Sequence, residues 1–190
     1  MIHPATPERW DDVVAVFGRR GDDSSWCWCR TLLTPGPPQE GTGKPDNRLA
    51  LHDEVRGAAV PPGLIAFIDG RPVGWSRAGP RAGFAGVTGN RTLATVLTPE
   101  PDAWWVTCFS TQPQARGLGV GTALLRADVE LARQHGARIV EGYPVDVEHL
   151  TAKRVGGSAL YTGTQRLFEA AGFTEAARPF PTRPLMRMVL

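Results

Sequence analysis

The sequence predicts one mixed α/β domain in which helices flank a central sheet. Short apolar runs of strand character alternate with segments whose apolar residues recur at helical spacing, and a glycine-rich run at 114–121 joins one such strand directly to one such helix. The length of 190 residues suits a single core and is short for two domains.

The elements follow in order. Thr6 with Pro7 marks a helix start, and Trp10, Val13, Val14 and Phe17 then fall on one face until Gly18 and Gly21 end it. Residues 24–30 carry no clear period, and residues 35–45 form a Pro/Gly-rich loop. Asp46 caps a second helix with Leu51, Val55 and Ala58 inward, stopped by Pro61 and Pro62. Leu64, Ile65, Ala66, Phe67 and Ile68 form a buried strand, and Asp69-Gly70 turns it into a returning strand over 72–78. After a Gly/Pro-punctuated stretch, residues 104–110 form a strand. The helix opening at Val120 buries Ala123, Leu124, Ala127 and Leu131 and ends near Gly136. Residues 138–145 are the next strand. A closing helix turns Leu160, Thr164, Leu167, Phe168 and Ala171 inward before Gly172, and two short strands follow near 173–177 and 185–190.

The run Gln114-Ala115-Arg116-Gly117-Leu118-Gly119-Val120-Gly121, followed by Thr122, carries the clearest chemistry. Alternate glycines bare the backbone so that its N–H groups can wrap an oxyanion, the following helix aims its positive end at the same place, and Arg116 adds a full charge. A phosphate or pyrophosphate fits such a cradle. The loop is not a Walker loop, because no Lys precedes Thr122. Nor is it a dinucleotide fingerprint, because its spacing is Gly-x-Gly-x-Gly and it lies past the middle of the chain.

This pattern resembles the acyl-CoA pyrophosphate loop of the GNAT superfamily of N-acyltransferases. Gln114, Gly117 and Gly119 fill the family register, and Arg116, Gly119 and Gly121 fill it again two residues later. Leu167-Phe168-Glu169-Ala170-Ala171-Gly172-Phe173 resembles the family's closing helix. The resemblance covers residues 61–190 well and 1–60 loosely. It implies a GNAT fold: a mixed, mostly antiparallel sheet with splayed central strands, flanked by helices, in a single domain over 1–190 whose residues 1–60 form the acceptor side. It further implies acetyl-CoA as co-substrate, its pantetheine along the backbone of Phe109, Ser110 and Thr111, and its pyrophosphate on residues 114–122. A primary amine then attacks the thioester directly in a ternary complex.

Two positions depart from the family. The strand before the glycine loop lacks the usual carboxylate, and Glu141, on the next strand, is the alternative base. Its competing reading is a structural partner for an Arg such as Arg138, and Asp146 and His149 are weaker bases. Phe168 occupies the usual Tyr position and cannot donate a proton, so the acid is Tyr161, Tyr143 or water.

Trp26, Cys27 and Trp28 suit a wall of the acceptor pocket, with Trp75, Trp104 or Trp105 and Tyr143 as additions; core packing is the competing reading for these Trp. Zinc is not expected, since Cys27 and Cys29 lack two further ligands and the His are scattered. Cys108 reads as a small buried residue. The acceptor expected is a small-molecule amine, with a protein or peptide amine, or a CoA-binding module without catalysis, as alternatives. A net charge of +2 without a Lys/Arg block argues against nucleic acid, and no apolar stretch is long enough to span a membrane. Three Cys and the absence of a signal-peptide pattern point to the cytoplasm, and the Gly/Pro/Ala/Arg-rich composition to a bacterial source. Relatives often pair through terminal strands, which makes a homodimer the candidate assembly.

Overall fold

A computed structural model describes residues 1–18, 22–23, 26–30, 32–34, 46–150 and 160–190. The loop expected at 35–45, and Gly21, lie outside them. The order is β1 (Ile2–Pro4), α1 (Trp10–Phe17), α2 (Asn47–Gly57), β2 (Leu64–Ile68), β3 (Arg71–Pro80), α3 (Ala85–Thr88), α4 (Arg91–Ala94), β4 (Trp104–Thr111), α5 (Val120–Gln134), β5 (Ile139–Gly142), α6 (Gln165–Ala170), β6 (Thr174–Phe180) and β7 (Arg183–Val189). Seven strands form one sheet in the order β1-β2-β3-β4-β5-β7-β6, antiparallel throughout except for the β4–β5 pair. This is the mixed, mostly antiparallel sheet flanked by helices that the sequence predicts.

The central pair opens. β4 and β5 are in register only from Trp104, Trp105 and Val106 to Val140, Glu141 and Gly142, and β4 then continues to Thr111 paired with β3 but no longer with β5. Phe168, fully buried, sits at the point of divergence: a Cβ on Gly142 would lie 2.7 Å from its ring and 3.1 Å from the Val106 carbonyl. Only glycine admits the ring there. Phe168 is braced edge-on by Phe109 and Phe173 at centroid distances of 6.3 and 5.0 Å. The residue at the family's Tyr position is therefore a wedge between strands.

A register shift between Arg77 and Ala78 puts Thr107 and Cys108 together opposite Arg77. Beyond this bulge Cys108 joins the core cluster of Phe17, Trp28 and Trp75 under α1 and α2, while Phe109 packs on the α5 and α6 side.

Several boundaries differ from expectation. Thr6 stands before a 3-10 turn over Pro7–Arg9 and makes no side-chain cap, whereas Asp46 does cap α2 by accepting from the Leu49 N–H at 2.8 Å. β5 stops at Gly142, before Pro144, which has no N–H to offer a ladder. The closing helix begins only at Gln165. Gly163 adopts φ +80°, and the Thr164 side chain caps the helix by accepting from Leu167 N–H, so Leu160 and Tyr161 lie on a turn and not on the helix. The edge strand β1, three residues containing a proline, has no pattern long enough to be recognised.

The buried face of α5 is centred on Leu124, Leu125, Asp128, Val129 and Ala132, and Ala123 is exposed. Asp128 is an acid on an apolar face. Its Oδ1 accepts from Ser76 Oγ at 3.0 Å, and Oδ2 has no partner. Burial pushes its pKa well above the usual carboxyl range, against the smaller opposite effect of Ser76. The folded chain therefore keeps a proton that the unfolded chain loses above about pH 4. Stability from this group is full below that pH and falls, by about 1.4 kcal/mol per pH unit, until the raised folded pKa is reached. Asp128→Asn should remove that slope, so its stability relative to the parent rises between pH 5 and pH 8 in urea denaturation. Parallel curves for the two proteins would show that Asp128 is ionised in the fold.

Candidate functional site

A cavity of about 830 Å³ follows the open edge of β4. At one end lies the glycine loop. Gly119, at φ +76°, is the N-cap of α5, and this left-handed step, closed to most side chains, turns the chain so that the first N–H groups of the helix face the cavity. Arg116, Gly117, Gly119, Val120, Gly121 and Thr122 all line this end. Gln114 does not; its amide turns to the Gln112 side chain, and Leu118 is 65% exposed. Of the two registers legible in the sequence, the one beginning at Arg116 has all three of its residues on the cavity wall, and the one beginning at Gln114 has Gly117 and Gly119 there.

The middle of the cavity is β4 itself, with Phe109, Ser110 and Thr111 on the wall. Gln112 N–H donates to the Val73 carbonyl, so by antiparallel alternation Ser110 also faces β3 while Phe109 and Thr111 present their N–H groups to the cavity. The Phe109 N–H is taken: it donates to the Tyr161 carbonyl at 2.6 Å. The backbone pairing expected along residues 109–111 is thus open to an incoming chain at Thr111, and at Phe109 only if the 160–163 turn withdraws.

The far end is apolar and sulfur-rich, with Phe17, Trp26, Cys27, Trp28, Cys29 and Cys108 facing Tyr161. Of the expected acceptor wall, Trp26, Cys27 and Trp28 are present. Trp75 is fully buried beneath Phe17, Trp104 packs against His135 and Trp105 against Tyr143, so these three are core. Tyr143 does not line the cavity. Its ring lies under the Arg183 guanidinium at 5.3 Å, and it hydrogen-bonds the Tyr161 side chain. Burial, with a further contribution from Tyr143, raises the Tyr161 pKa, so the phenol stays protonated throughout the neutral range.

Glu141 is a correction. It is fully buried, lies off the cavity, and both its oxygens are engaged: Oε2 with Arg81 Nη1 at 2.6 Å and Oε1 with Arg187 Nε at 2.8 Å. A carboxylate held between two guanidinium groups is an anchor, and it cannot reach an amine in the cavity. Its partners are not Arg138. Asp146 pairs with both His149 and Arg178 beside a separate cavity of about 470 Å³. Burial alone would raise the Asp146 pKa, but Arg178 and His149 together hold it below its usual value. Cys29, Cys108, Thr164 and Leu167 on the cavity wall were not singled out as site residues. Thr164 carried a signal, since a Thr three residues before a Leu-Phe pair is a cap and not a helix interior.

Among the described residues, no group of His, Cys, Asp and Glu is arranged to hold a metal ion, and no helix is long and apolar enough to cross a membrane.

Comparison with known proteins agrees with this fold. Residues 27–155 match the acetyltransferase (GNAT) family. Curated proteins give no match. Among solved structures, the ribosomal-protein-alanine N-acetyltransferase from Brucella melitensis is similar over 100% of this chain and 99% of its own, with 18% identity and a TM-score of 0.55. The GNAT domain of S. lividans PAT is similar over 100% and 89%, with 18% identity and a TM-score of 0.58. The aminoglycoside acetyltransferase AAC(6')-Ib in complex with coenzyme A is similar over 100% and 94%, with 17% identity and a TM-score of 0.56.

Proposed function

The chain belongs to the GNAT family of acetyltransferases, and from that premise we propose that it transfers an acetyl group from acetyl-CoA to a small-molecule amine by direct attack. One observation carries the reading: a single cavity joins the α5 anion cradle, the open edge of β4 and an aromatic end. A pyrophosphate on Arg116, Gly117, Gly119 and Gly121 places a pantetheine along Thr111 and its thioester toward Tyr161. Crystal structures of AAC(6')-Ib with coenzyme A supply a precedent for the cofactor in a similar fold. The aromatic end, bounded by Phe17, Trp26 and Trp28, favours a compact acceptor over a peptide.

The titratable side chains lining the acyl end among the described residues are Cys27, Cys29, Cys108 and Tyr161, none of them a carboxylate or an imidazole. The amine therefore reacts as its free base, with water taking the ammonium proton. Tyr161 gives its proton to the departing thiolate. Because a thiolate with a pKa of about 8.5 leaves readily, the phenol matters less here than with a poorer leaving group.

Thiol release from acetyl-CoA against a panel of small amines tests this. Activity should appear, and kcat/KM should rise about tenfold per pH unit below the pKa of the amine itself. Tyr161→Phe should lower kcat about 10- to 100-fold and leave KM for acetyl-CoA unchanged. Acetyl-CoA bound without release across the panel would assign a CoA-binding module instead, and preferential acetylation of peptides a protein acceptor.

A further inference from the structure

Three thiols converge at the aromatic end of the cavity from distant parts of the chain. Cys29 Sγ lies 2.7 Å from Cys108 Sγ, and Cys27 also hydrogen-bonds Cys108; none of the three is in a disulfide. The convergence is imposed by strained backbone. Trp28 and Cys29 both adopt positive φ, +38° and +57°, a region that residues with a Cβ enter only under constraint. The tight turn is closed by Arg30 N–H donating to the Cys27 carbonyl at 2.9 Å. It is pinned by the Trp28 indole, which donates to the Asp23 carbonyl at 2.8 Å and packs on Phe17 and Trp10. An extended backbone would have alternated the two Cys side chains with Trp28. Instead the turn carries Cys29 onto the β4 bulge, where Cys108 faces it.

We propose that Cys29 and Cys108 are an oxidation site, closed into a disulfide by hydrogen peroxide that enters through the cavity. Both residues are buried from bulk solvent yet line the cavity wall, which is their route to a small oxidant. The reaction balances in two steps. The Cys29 sulfur attacks one peroxide oxygen, the O–O bond breaks, and a sulfenic acid and one water form. The Cys108 sulfur then attacks the sulfenic sulfur, an S–S bond replaces the S–O bond, and the Cys108 proton leaves with the hydroxyl as a second water. Two electrons pass from the thiols to the peroxide. Cys108, whose neighbouring thiols and burial push its pKa well up, is a poor first nucleophile toward peroxide and is placed second. The product ties the turn at 27–30 to β4 beside the expected acyl position.

The purified full-length chain, treated with hydrogen peroxide, should lose the mass of two hydrogen atoms, and its thiols titrated in denaturant should fall from three to one. Dithiothreitol should reverse both. Fragmentation should find Cys29 joined to Cys108. Cys27→Ser should close as the parent does, and Cys108→Ser should not. A Cys27–Cys29 or Cys27–Cys108 bond as the main product, addition of oxygen instead of loss of hydrogen, or three surviving thiols would each overturn the assignment. These results stand apart from the acetyl-transfer reading. Only the access route rests on that reading: acetyl-CoA at ten times its Kd leaves about one cavity in eleven open and should slow closure about tenfold. Protection absent while calorimetry shows acetyl-CoA bound would overturn the route; no binding at all would instead overturn the acetyl-CoA reading.

Discussion

Glu141→Ala should destabilise the protein by about 3–5 kcal/mol, because it strips the counter-charge from the buried Arg81 and the half-buried Arg187. Arg81 also donates to the Thr98 and Glu100 carbonyls at 2.6 and 2.9 Å, and Arg187 to the Val96 carbonyl at 3.3 Å. The carboxylate is therefore the hub that fastens β5 and β7 to the 96–100 segment. Loss of that much from a total of about 5–15 kcal/mol leaves a marginal fold. The urea midpoint should fall at unchanged m-value, and the melting temperature should drop by roughly 10 °C. Glu141→Gln keeps one acceptor oxygen and should lie between the two. The result separates the anchor from a catalytic base: a base would leave stability near that of the parent and abolish turnover. Native-like melting of Glu141→Ala would remove the anchor.

The second large effect belongs to the donor site. Gly119→Val should weaken acetyl-CoA binding roughly 100-fold, from about 1–2 kcal/mol of left-handed strain at φ +76° together with a lost charge-assisted N–H contact. No atom lies within 4 Å of the position a Cβ would take there, so the Cβ itself meets no crowding and the backbone strain is the first cost. Calorimetric titration with acetyl-CoA reads the effect directly. An unchanged Kd would mean that the pyrophosphate is held elsewhere.

The glycine-loop end of the cavity is legible in the sequence because its features are local. Backbone N–H groups, the glycines that bare them and the helix that orients them all lie within nine residues of sequence, 114–122. What was illegible depends on partners far along the chain. Arg81 and Arg187 lie 60 and 46 residues from Glu141, so its pairing could not be read from its neighbours, and Arg138 was merely the nearest cation. Cys108 meets Cys29 across 79 residues. Tyr161 was placed on a helix because Leu160, Thr164, Leu167 and Ala171 mimic its period. The apolar spacing is real, but Gly163 and the Thr164 cap break the hydrogen-bond ladder that would use it. Asp128 escaped notice for the opposite reason: a helical wheel assigns an acid to water, and here the sheet covers it.

The phenyl ring at Phe168 has a consequence for how a cofactor is received. Strands held apart by a packed side chain stay apart whether or not a ligand is present, so the free energy of parting two hydrogen-bonded neighbours is met once, when the chain folds. An incoming chain then meets strands already parted at Thr111, and only the 160–163 turn has still to withdraw at Phe109. A phenyl has no proton to give, so this residue serves the container and not the reaction.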